Sequence, residues 1–214
     1  MPCCHGQNYD SLFGAKIARK ELRAYRNKGP RGATARLLQL VQVSTPLNPS
    51  LLDIGGGIGV IPQEVLKAGA GQVTSVDASE AYYVTTESVA REHGYEKRWT
   101  SIKGDFVECS VDIATADIVT LDKVICCYPD MPALVSASAA KAEKLYGIVV
   151  PKDGWWVRAA AKIGNLVLRL LSFEFQGFVH PHAAIDEIVE KGGLHIIATA
   201  SYWIWSVRLY TRAA

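Results

Sequence analysis

The chain has 214 residues, of which 49% are apolar and 21% charged. These values are ordinary for one globular domain with a sizeable core and some additional elements. The 23 basic residues nearly balance the 21 acidic residues. The composition therefore gives no reason to expect a general nucleic-acid binder, which normally shows a basic face.

The cysteines and the longest apolar runs predict a cytoplasmic protein without a membrane span. The five cysteines are odd in number, and the opening MPCCHGQNYD lacks the pattern of a secretory leader. Cys3, Cys4 and His5 are possible metal ligands, but no second cysteine pair follows at zinc-ribbon spacing, and we predict no metal site. No apolar run reaches the ~18 residues that a membrane span requires.

Two helices are expected before the first strand. Residues 9–26 look helical and carry many basic residues, typical of a solvated face, a lid or a patch for an acidic partner. Gly and Pro in KGPRG (28–32) should end this helix. Thr34 is a candidate cap for a second helix, ARLLQLVQV. We interpret residues 1–46 as a helical lid or cap, and residues 47–214 as the main domain.

The main domain alternates apolar runs with helical patterns. The first five predicted strands lie at 50–54, 72–77, 99–105, 116–122 and 146–151. The predicted helices between and after them are VIPQEVLKAGA, EAYYVTTESVAREHG, MPALVSASAAKAEKL and HAAIDEIVEKGG. Strands separated by helices predict a mostly parallel sheet with helices on both faces.

Two departures from this alternation occur near the end of the chain. LHIIATASYW and WSVRLYTR have no helix between them, so they should pair as a hairpin and make the last strand antiparallel. Residues 153–173 predict an inserted helix after strand five, which we expect to lie over the cofactor face. The prediction is an α/β fold with a seven-stranded sheet.

A glycine-rich turn, Asp53-Ile54-Gly55-Gly56-Gly57-Ile58-Gly59, follows the first strand. Such a turn lets a ligand approach the backbone closely at the carboxyl edge of an open sheet. Dinucleotide sites use G-x-G-x-x-G, but Val60 or Pro62 stands where the third glycine belongs. The turn instead has an acid followed by alternating glycines.

This turn resembles motif I of the class I, Rossmann-like, S-adenosylmethionine-dependent methyltransferases. Three downstream elements agree in order and spacing. Asp77 ends the second strand where the family binds the ribose hydroxyls, and Gly104-Asp105-Phe106 resembles its adenine site. Ala116 to Asp122 matches the family's fourth strand, whose end lies beside the methionine part of the cofactor. The resemblance implies that S-adenosylmethionine contacts Asp53, Gly55, Gly56, Gly57, Asp77, Ala78, Asp105, Phe106, Leu121 and Asp122.

Closer resemblances differ between regions of the chain. VTLDKVICCYPDMPALV is similar to the strand-four region of the magnesium-protoporphyrin O-methyltransferases. The YRNKGPRGATARLL and PKDGWW…FVHPHAAI stretches resemble small bacterial methyltransferases with no assigned substrate. The porphyrin substrate is therefore not carried over.

The resulting hypothesis is an S-adenosylmethionine-dependent methyltransferase that acts on a small molecule, with S-adenosylhomocysteine as product. An NAD-dependent oxidoreductase and an inactive cofactor-binding accessory protein are the alternatives. We expect no nucleic-acid partner and either a monomer or a homodimer. The motif for amino-nitrogen methylation, Asn/Asp-Pro-Pro-Tyr, is absent, and the accepting atom stays open.

Catalytic candidates are few, because methyl transfer needs a base only when the nucleophile must lose a proton. His180 suits a base because histidine titrates near neutrality. Tyr128 is a candidate for the substrate pocket. Cys126 and Cys127 are expected to be small buried residues.

Overall fold

The computed structural model describes residues 13–44, 47–171 and 175–213. Its helices are α1 (Ala15–Lys28), α2 (Gly32–Ser44), α3 (Val60–Lys67), α4 (Glu80–Glu92), α5 (Phe106–Cys109), α6 (Met131–Ala139), α7 (Trp155–Leu170) and α8 (His182–Lys191). Its strands are β1 (Ser50–Ile54), β2 (Gln72–Asp77), β3 (Trp99–Lys103), β4 (Ala116–Asp122), β5 (Ala142–Pro151), β6 (Leu194–Tyr202) and β7 (Trp205–Arg212).

The seven strands form one sheet in the order β3-β2-β1-β4-β5-β7-β6. β7 pairs antiparallel with both β5 and β6, and the other pairings are parallel. This confirms the predicted fold class and the terminal hairpin. Strand order reverses between β1 and β4, where open α/β sheets place their ligands.

Helices cover both faces of the sheet and produce two cores. On one face, Leu37 of α2 and Val65 of α3 pack with the apolar side chains of β1, β5 and β7. On the other face, Phe106, Leu134 and Ile185 belong to the second core, from α5, α6 and α8. The sheet is buried on both sides, so its inner strands are nearly continuous apolar runs.

Several predicted boundaries differ from those of the structure. The helix predicted for MPALVSASAAKAEKL ends at Ala139, and β5 begins at Ala142, because Ala142 pairs with Ala116 of β4 and sheet pairing overrides the helix propensity of this segment. Thr34 does not cap α2, which begins at Gly32. Residues 9–12 of the predicted first helix lie outside the described residues.

Candidate cofactor and substrate site

A cavity of about 440 Å³ opens at the carboxyl edge of the sheet, beside the β1/β4 switch point. We call it the cofactor cavity. The cap segment, defined as residues 15–44, supplies part of its wall. Its described lining residues from the main domain are Ile54, Gly55, Gly56, Gly57, Ile58, Val60, Val76, Asp77, Ala78, Ser79, Tyr82, Gly104, Asp105, Phe106, Asp122, Lys123, Val124, Cys127, Tyr128 and Leu134.

The glycine turn forms the floor of this cavity. Gly55 and Gly57 have φ values of +64° and +59°, in the left-handed region that favours glycine. A Cβ on Gly56 would stand 1.7 Å from Oδ2 of Asp53, which leaves no room for any other residue. The turn therefore requires glycine because of its backbone angles at two positions and the buried carboxyl group at the third.

Asp53 lies beneath the turn and is fully buried. Thr120 donates a 2.6 Å hydrogen bond to its Oδ1, while Oδ2 has no hydrogen-bond partner among the described residues. Burial raises the pKa of this carboxyl to about 7. Asp53 is not among the residues that line the cavity, so it supports the turn from below.

Asp77 lies at the end of β2 and lines the cavity. Its Oδ2 accepts a 3.1 Å hydrogen bond from the Gly57 amide, and its Oδ1 accepts a 2.9 Å hydrogen bond from the Ser79 amide. A carboxylate oxygen can accept more than one hydrogen bond. The two amides fix the carboxylate in an orientation from which it can also receive a pair of ligand hydroxyls.

Asp105 and Tyr128 occupy another part of the wall, and both are buried. Asp105 caps α5 by accepting a hydrogen bond from the Val107 amide at 2.9 Å. The Tyr128 hydroxyl lies 3.0 Å from each carboxylate oxygen of Asp105 and donates to them. Phe106 follows directly and is buried at 4% exposure, next to the cavity.

The end of β4 joins the cap segment to the main domain. Thr34 donates a 2.5 Å hydrogen bond to Oδ2 of Asp122. The Lys123 ammonium lies 2.8 Å from the Thr34 hydroxyl and 3.1 Å from Oδ1 of Asp122. Lys123 has a φ of +64°, which is rare outside glycine and often marks a functional segment. Thr34 is therefore a contact of the strand-four acid.

The structure brings most of the predicted site residues to one cavity. The predicted cofactor residues that line it are Gly55, Gly56, Gly57, Asp77, Ala78, Asp105, Phe106 and Asp122. Asp53 and Leu121 do not line it, and Leu121 is fully buried in the core. Of the two catalytic candidates, Tyr128 lines the cavity and His180 does not.

His180 lies beside the cavity wall instead. Its ring stacks on Phe178 with centroids 5.7 Å apart, and its Nε2 is buried without a hydrogen-bond partner among the described residues. Burial lowers the pKa of this imidazole, so its neutral form is favoured. Its neighbour His182, the first residue of α8, donates a 2.8 Å hydrogen bond from Nε2 to the Pro151 carbonyl.

Several residues of the cap segment line the cavity without having been predicted individually. They are Glu21, Ala24, Tyr25, Gly29, Pro30, Arg31 and Thr34. Sequence patterns predict only a helical lid. They do not identify its individual lining residues, because their contacts join positions far apart in the chain. The Tyr82 hydroxyl, for example, donates to Glu21 at 2.9 Å across 61 positions. The inserted helix α7, expected over this face, contributes no described lining residue.

The two adjacent cysteines differ in position. Cys126 is buried, whereas Cys127 lines the cavity, and their sulfur atoms are 3.7 Å apart. The hydrogen bond between them raises the pKa of the Cys126 thiol and lowers that of Cys127. The prediction that both are small buried residues therefore holds for Cys126. Cys3 and Cys4 lie outside the described residues.

These residues fit S-adenosylmethionine. The glycine turn offers backbone that a ligand can approach closely, and Asp77 offers a fixed carboxylate for two hydroxyls. Asp105 and Phe106 place a carboxylate and an aromatic ring together at another part of the wall, as recognition of an amino-substituted heterocycle requires. No group of three potential metal ligands occurs among the described residues.

Comparison with known proteins agrees with this reading of the site. Residues 52–144 match the family model of a methyltransferase domain. A magnesium protoporphyrin IX methyltransferase from Synechocystis with bound SAH shares 19% identity, over 96% of this chain and 88% of that chain, with a TM-score of 0.68. No curated protein matches the sequence significantly.

Two further structures have the same fold. An O-methyltransferase family protein from Burkholderia thailandensis shares 16% identity over 98% of this chain and 64% of that chain, with a TM-score of 0.69. A methyltransferase from Haloferax volcanii, solved in complex with the activator Trm112, shares 13% identity over 98% of each chain, also with a TM-score of 0.69. Residues 52–144 therefore correspond to a methyltransferase domain, and the chain has the fold of the class I S-adenosylmethionine-dependent methyltransferases.

Proposed function

We propose that the enzyme methylates a small molecule held between the glycine turn and the cap segment. The observation that carries this proposal is the shared cavity, whose wall runs from Asp77 and Asp105 to Arg31 and Thr34. Its volume of about 440 Å³ is within the range of small-molecule sites. A folded nucleic acid would instead require an open basic channel.

The cofactor supplies an activated methyl group on a positively charged sulfur. The methyl carbon leaves sulfur and bonds to an electron pair of the acceptor, and neutral S-adenosylhomocysteine is released. The protein has to align the acceptor with the carbon–sulfur bond and to exclude water. The glycine turn and Asp77 would hold the donor, while the cap segment would hold the acceptor.

The cavity favours an acceptor that needs no general base. None of its described lining residues is a histidine. Two carboxylates of the wall are already engaged, since Asp122 binds Lys123 and Thr34, and Glu21 of the cap segment binds Tyr82. A carboxylate oxygen is already ionised near neutral pH and requires no proton transfer.

Arg31 makes a carboxylate acceptor the best fit. It lines the cavity at the start of α2, and a guanidinium binds a carboxylate through two parallel hydrogen bonds. The rest of the wall near it includes apolar surface from Ala24 and Pro30. We therefore propose a small, partly apolar carboxylic acid as the acceptor, and a methyl ester as the product.

A screen with methyl-labelled cofactor tests both parts of this proposal, namely that the acceptor is a small molecule and that its accepting group is a carboxylate. The enzyme is incubated with a small-molecule extract and, separately, with total RNA. Label in a product that mild alkali converts to volatile methanol supports a carboxylate acceptor. Alkali-stable labelled small molecules would contradict the carboxylate but keep the enzyme class.

The remaining outcomes of the screen separate the alternatives. Label in RNA would contradict a small-molecule acceptor. Binding of S-adenosylhomocysteine without any labelled product from any fraction would favour the inactive accessory protein. Stabilisation by NADH and not by S-adenosylhomocysteine would favour the oxidoreductase.

A further inference from the structure

The helix inserted after β5 has an unusual surface. α7 buries only Val157, although eleven of its sixteen residues are alanine, leucine, isoleucine, valine or tryptophan. Trp155 is 82% exposed, Ile163 65% and Leu170 75%. No helix of the described residues is long and apolar enough to cross a membrane. The exposed surface of α7 therefore needs a different explanation.

The exposed apolar residues form one stripe. Trp156, Ile163, Val167 and Leu170 recur at helical spacing and share a side of α7. The opposite side faces the protein, where Val157 is buried and Asn165 exchanges hydrogen bonds of 2.7 and 2.8 Å with the backbone of Gly177. The helix is thus anchored so that its apolar stripe points away from the fold.

The charge on α7 is of one sign. Arg158, Lys162 and Arg169 lie together along one border of the stripe at spacings of four and seven, and the helix contains no acidic residue. A helix with tryptophan and leucine on one side and only basic charges beside them is typical of helices that lie in the surface of an anionic membrane.

The neighbouring helix α1 adds further basic charge near α7. α1 carries six basic residues and one acid, Glu21, although the whole chain has a net charge of only +2. Phe13, directly before α1, contacts Phe175, which follows α7, with ring centroids 5.7 Å apart. The basic helix α1 therefore begins near the segment that ends α7.

Exposed aromatic residues lie at the same edge of the sheet. The turn between β6 and β7 carries Trp203, which is 79% exposed. The Lys152 amide donates a 2.8 Å hydrogen bond to the Ile204 carbonyl, so this turn lies beside the point where the chain leaves β5 for α7. Tryptophan is favoured at the boundary between lipid and water.

We propose that α7 and the β6–β7 turn dock the enzyme on an anionic membrane surface, with α1 adding electrostatic attraction. The lipid headgroups would pair with the basic border of α7, and its apolar stripe would enter the outer acyl region. The docking surface and the cofactor cavity share the carboxyl edge of the sheet. The proposal does not depend on which acceptor is methylated.

Vesicle flotation of the full chain tests this proposal. We expect the protein to float with vesicles of phosphatidylcholine and phosphatidylglycerol, to float less with phosphatidylcholine alone, and to detach partly at high salt. The double variant Ile163→Glu and Leu170→Glu should lower the partition coefficient at least about tenfold. Both side chains are exposed, so the fold should be retained.

Val111→Glu is the control, because Val111 is also an exposed apolar residue but precedes β4 at the opposite edge. It should float like the native protein. Should the glutamate double variant misfold, Arg158→Gln with Lys162→Gln should reduce the preference for the anionic vesicles.

Absence of flotation with the anionic vesicles would overturn the proposal, as would equal loss in Val111→Glu. Concentration-dependent dimers that the double variant dissociates, without flotation, would assign the stripe to a second copy of the chain. Retention on RNA without flotation would assign the charge to nucleic acid. Binding of S-adenosylhomocysteine, measured in parallel, reports on the methyltransferase function independently.

Discussion

The two sides of the cofactor cavity are built differently. On the glycine-turn side, each acid of the cavity wall binds an amide two residues ahead of it: Asp77 binds that of Ser79, and Asp105 that of Val107. On the cap side, Thr34 binds Asp122 across 88 positions. Local backbone geometry therefore helps to orient the two acids, whereas tertiary packing alone brings the cap segment to the cavity. Local patterns in the sequence therefore predict the position of these acids, whereas they do not predict the contacts of the cap segment.

The largest effect is expected where the turn allows no side chain. Gly56→Ala would place a Cβ 1.7 Å from the buried Asp53 carboxyl, so the backbone must move. We expect loss of cofactor binding and roughly 3 kcal/mol or more of lost stability. Urea denaturation and calorimetry measure both. Gly164→Ala, with no atom within 4 Å of the added carbon, should gain roughly 0.5–1 kcal/mol instead.

The next effect concerns Asp77, the proposed ligand of the cofactor ribose. Asp77→Ala should weaken binding of S-adenosylhomocysteine by roughly a hundredfold, since two hydrogen bonds to a charged group are lost. Titration calorimetry measures the dissociation constant. Asp112→Ala, an exposed acid at the other edge of the sheet, should bind normally. Equal binding by both variants would place the ribose elsewhere.

A substitution in the cap segment should weaken binding of the acceptor without weakening binding of the cofactor. Arg31→Ala should raise the KM of a carboxylic acid acceptor by about tenfold to a hundredfold, because a paired charge is removed. The dissociation constant of S-adenosylhomocysteine should change less than about twofold, since no contact of the donor side is altered. A loss of cofactor affinity as large as the rise in KM would contradict this division.

The kinetics of a Tyr128 variant distinguish a positioning role of this residue from a catalytic role. Because its hydroxyl binds Asp105, Tyr128→Phe should raise the KM for S-adenosylmethionine by roughly fivefold to tenfold and leave kcat nearly unchanged. Steady-state kinetics with saturating acceptor provide this split. A large fall in kcat with unchanged cofactor affinity would show that the hydroxyl acts on the substrate.

The most gradual effect is a pH dependence of stability. Asp53 has its pKa raised to about 7, while an unfolded aspartate titrates near 4. The folded protein therefore binds the extra proton between about pH 4 and about pH 7, and the free energy of unfolding should fall as pH rises through this window, by roughly 1 kcal/mol per unit.

Asp53→Asn removes this titration. Urea denaturation between about pH 5 and about pH 8 should show a flatter pH profile for this variant than for the native protein. Asp112→Asn, an exposed control, should keep the native slope. Identical slopes for Asp53→Asn and the native protein would mean that the buried carboxyl is ionised throughout.

The sequence predicts what local patterns encode. Strands β1, β2 and β4 and the glycine turn were found at their positions because apolar runs end there at glycines or acids. The alanine-rich segment after Met131 predicts a helix that is too long, because the pairing of Ala142 with Ala116 depends on a distant strand. The chemistry of His180 suits a base, but the packing places its ring outside the cavity wall.

Thermal unfolding with added ligand tests the central claim, that this cavity binds S-adenosylmethionine, most directly. The native protein, with Asp77→Ala as a matched variant, is melted with S-adenosylhomocysteine and with NADH. We expect S-adenosylhomocysteine to raise the Tm of the native protein, to raise the Tm of Asp77→Ala much less, and NADH to change neither. An unchanged native Tm with S-adenosylhomocysteine, together with a clear rise with NADH, would contradict this claim.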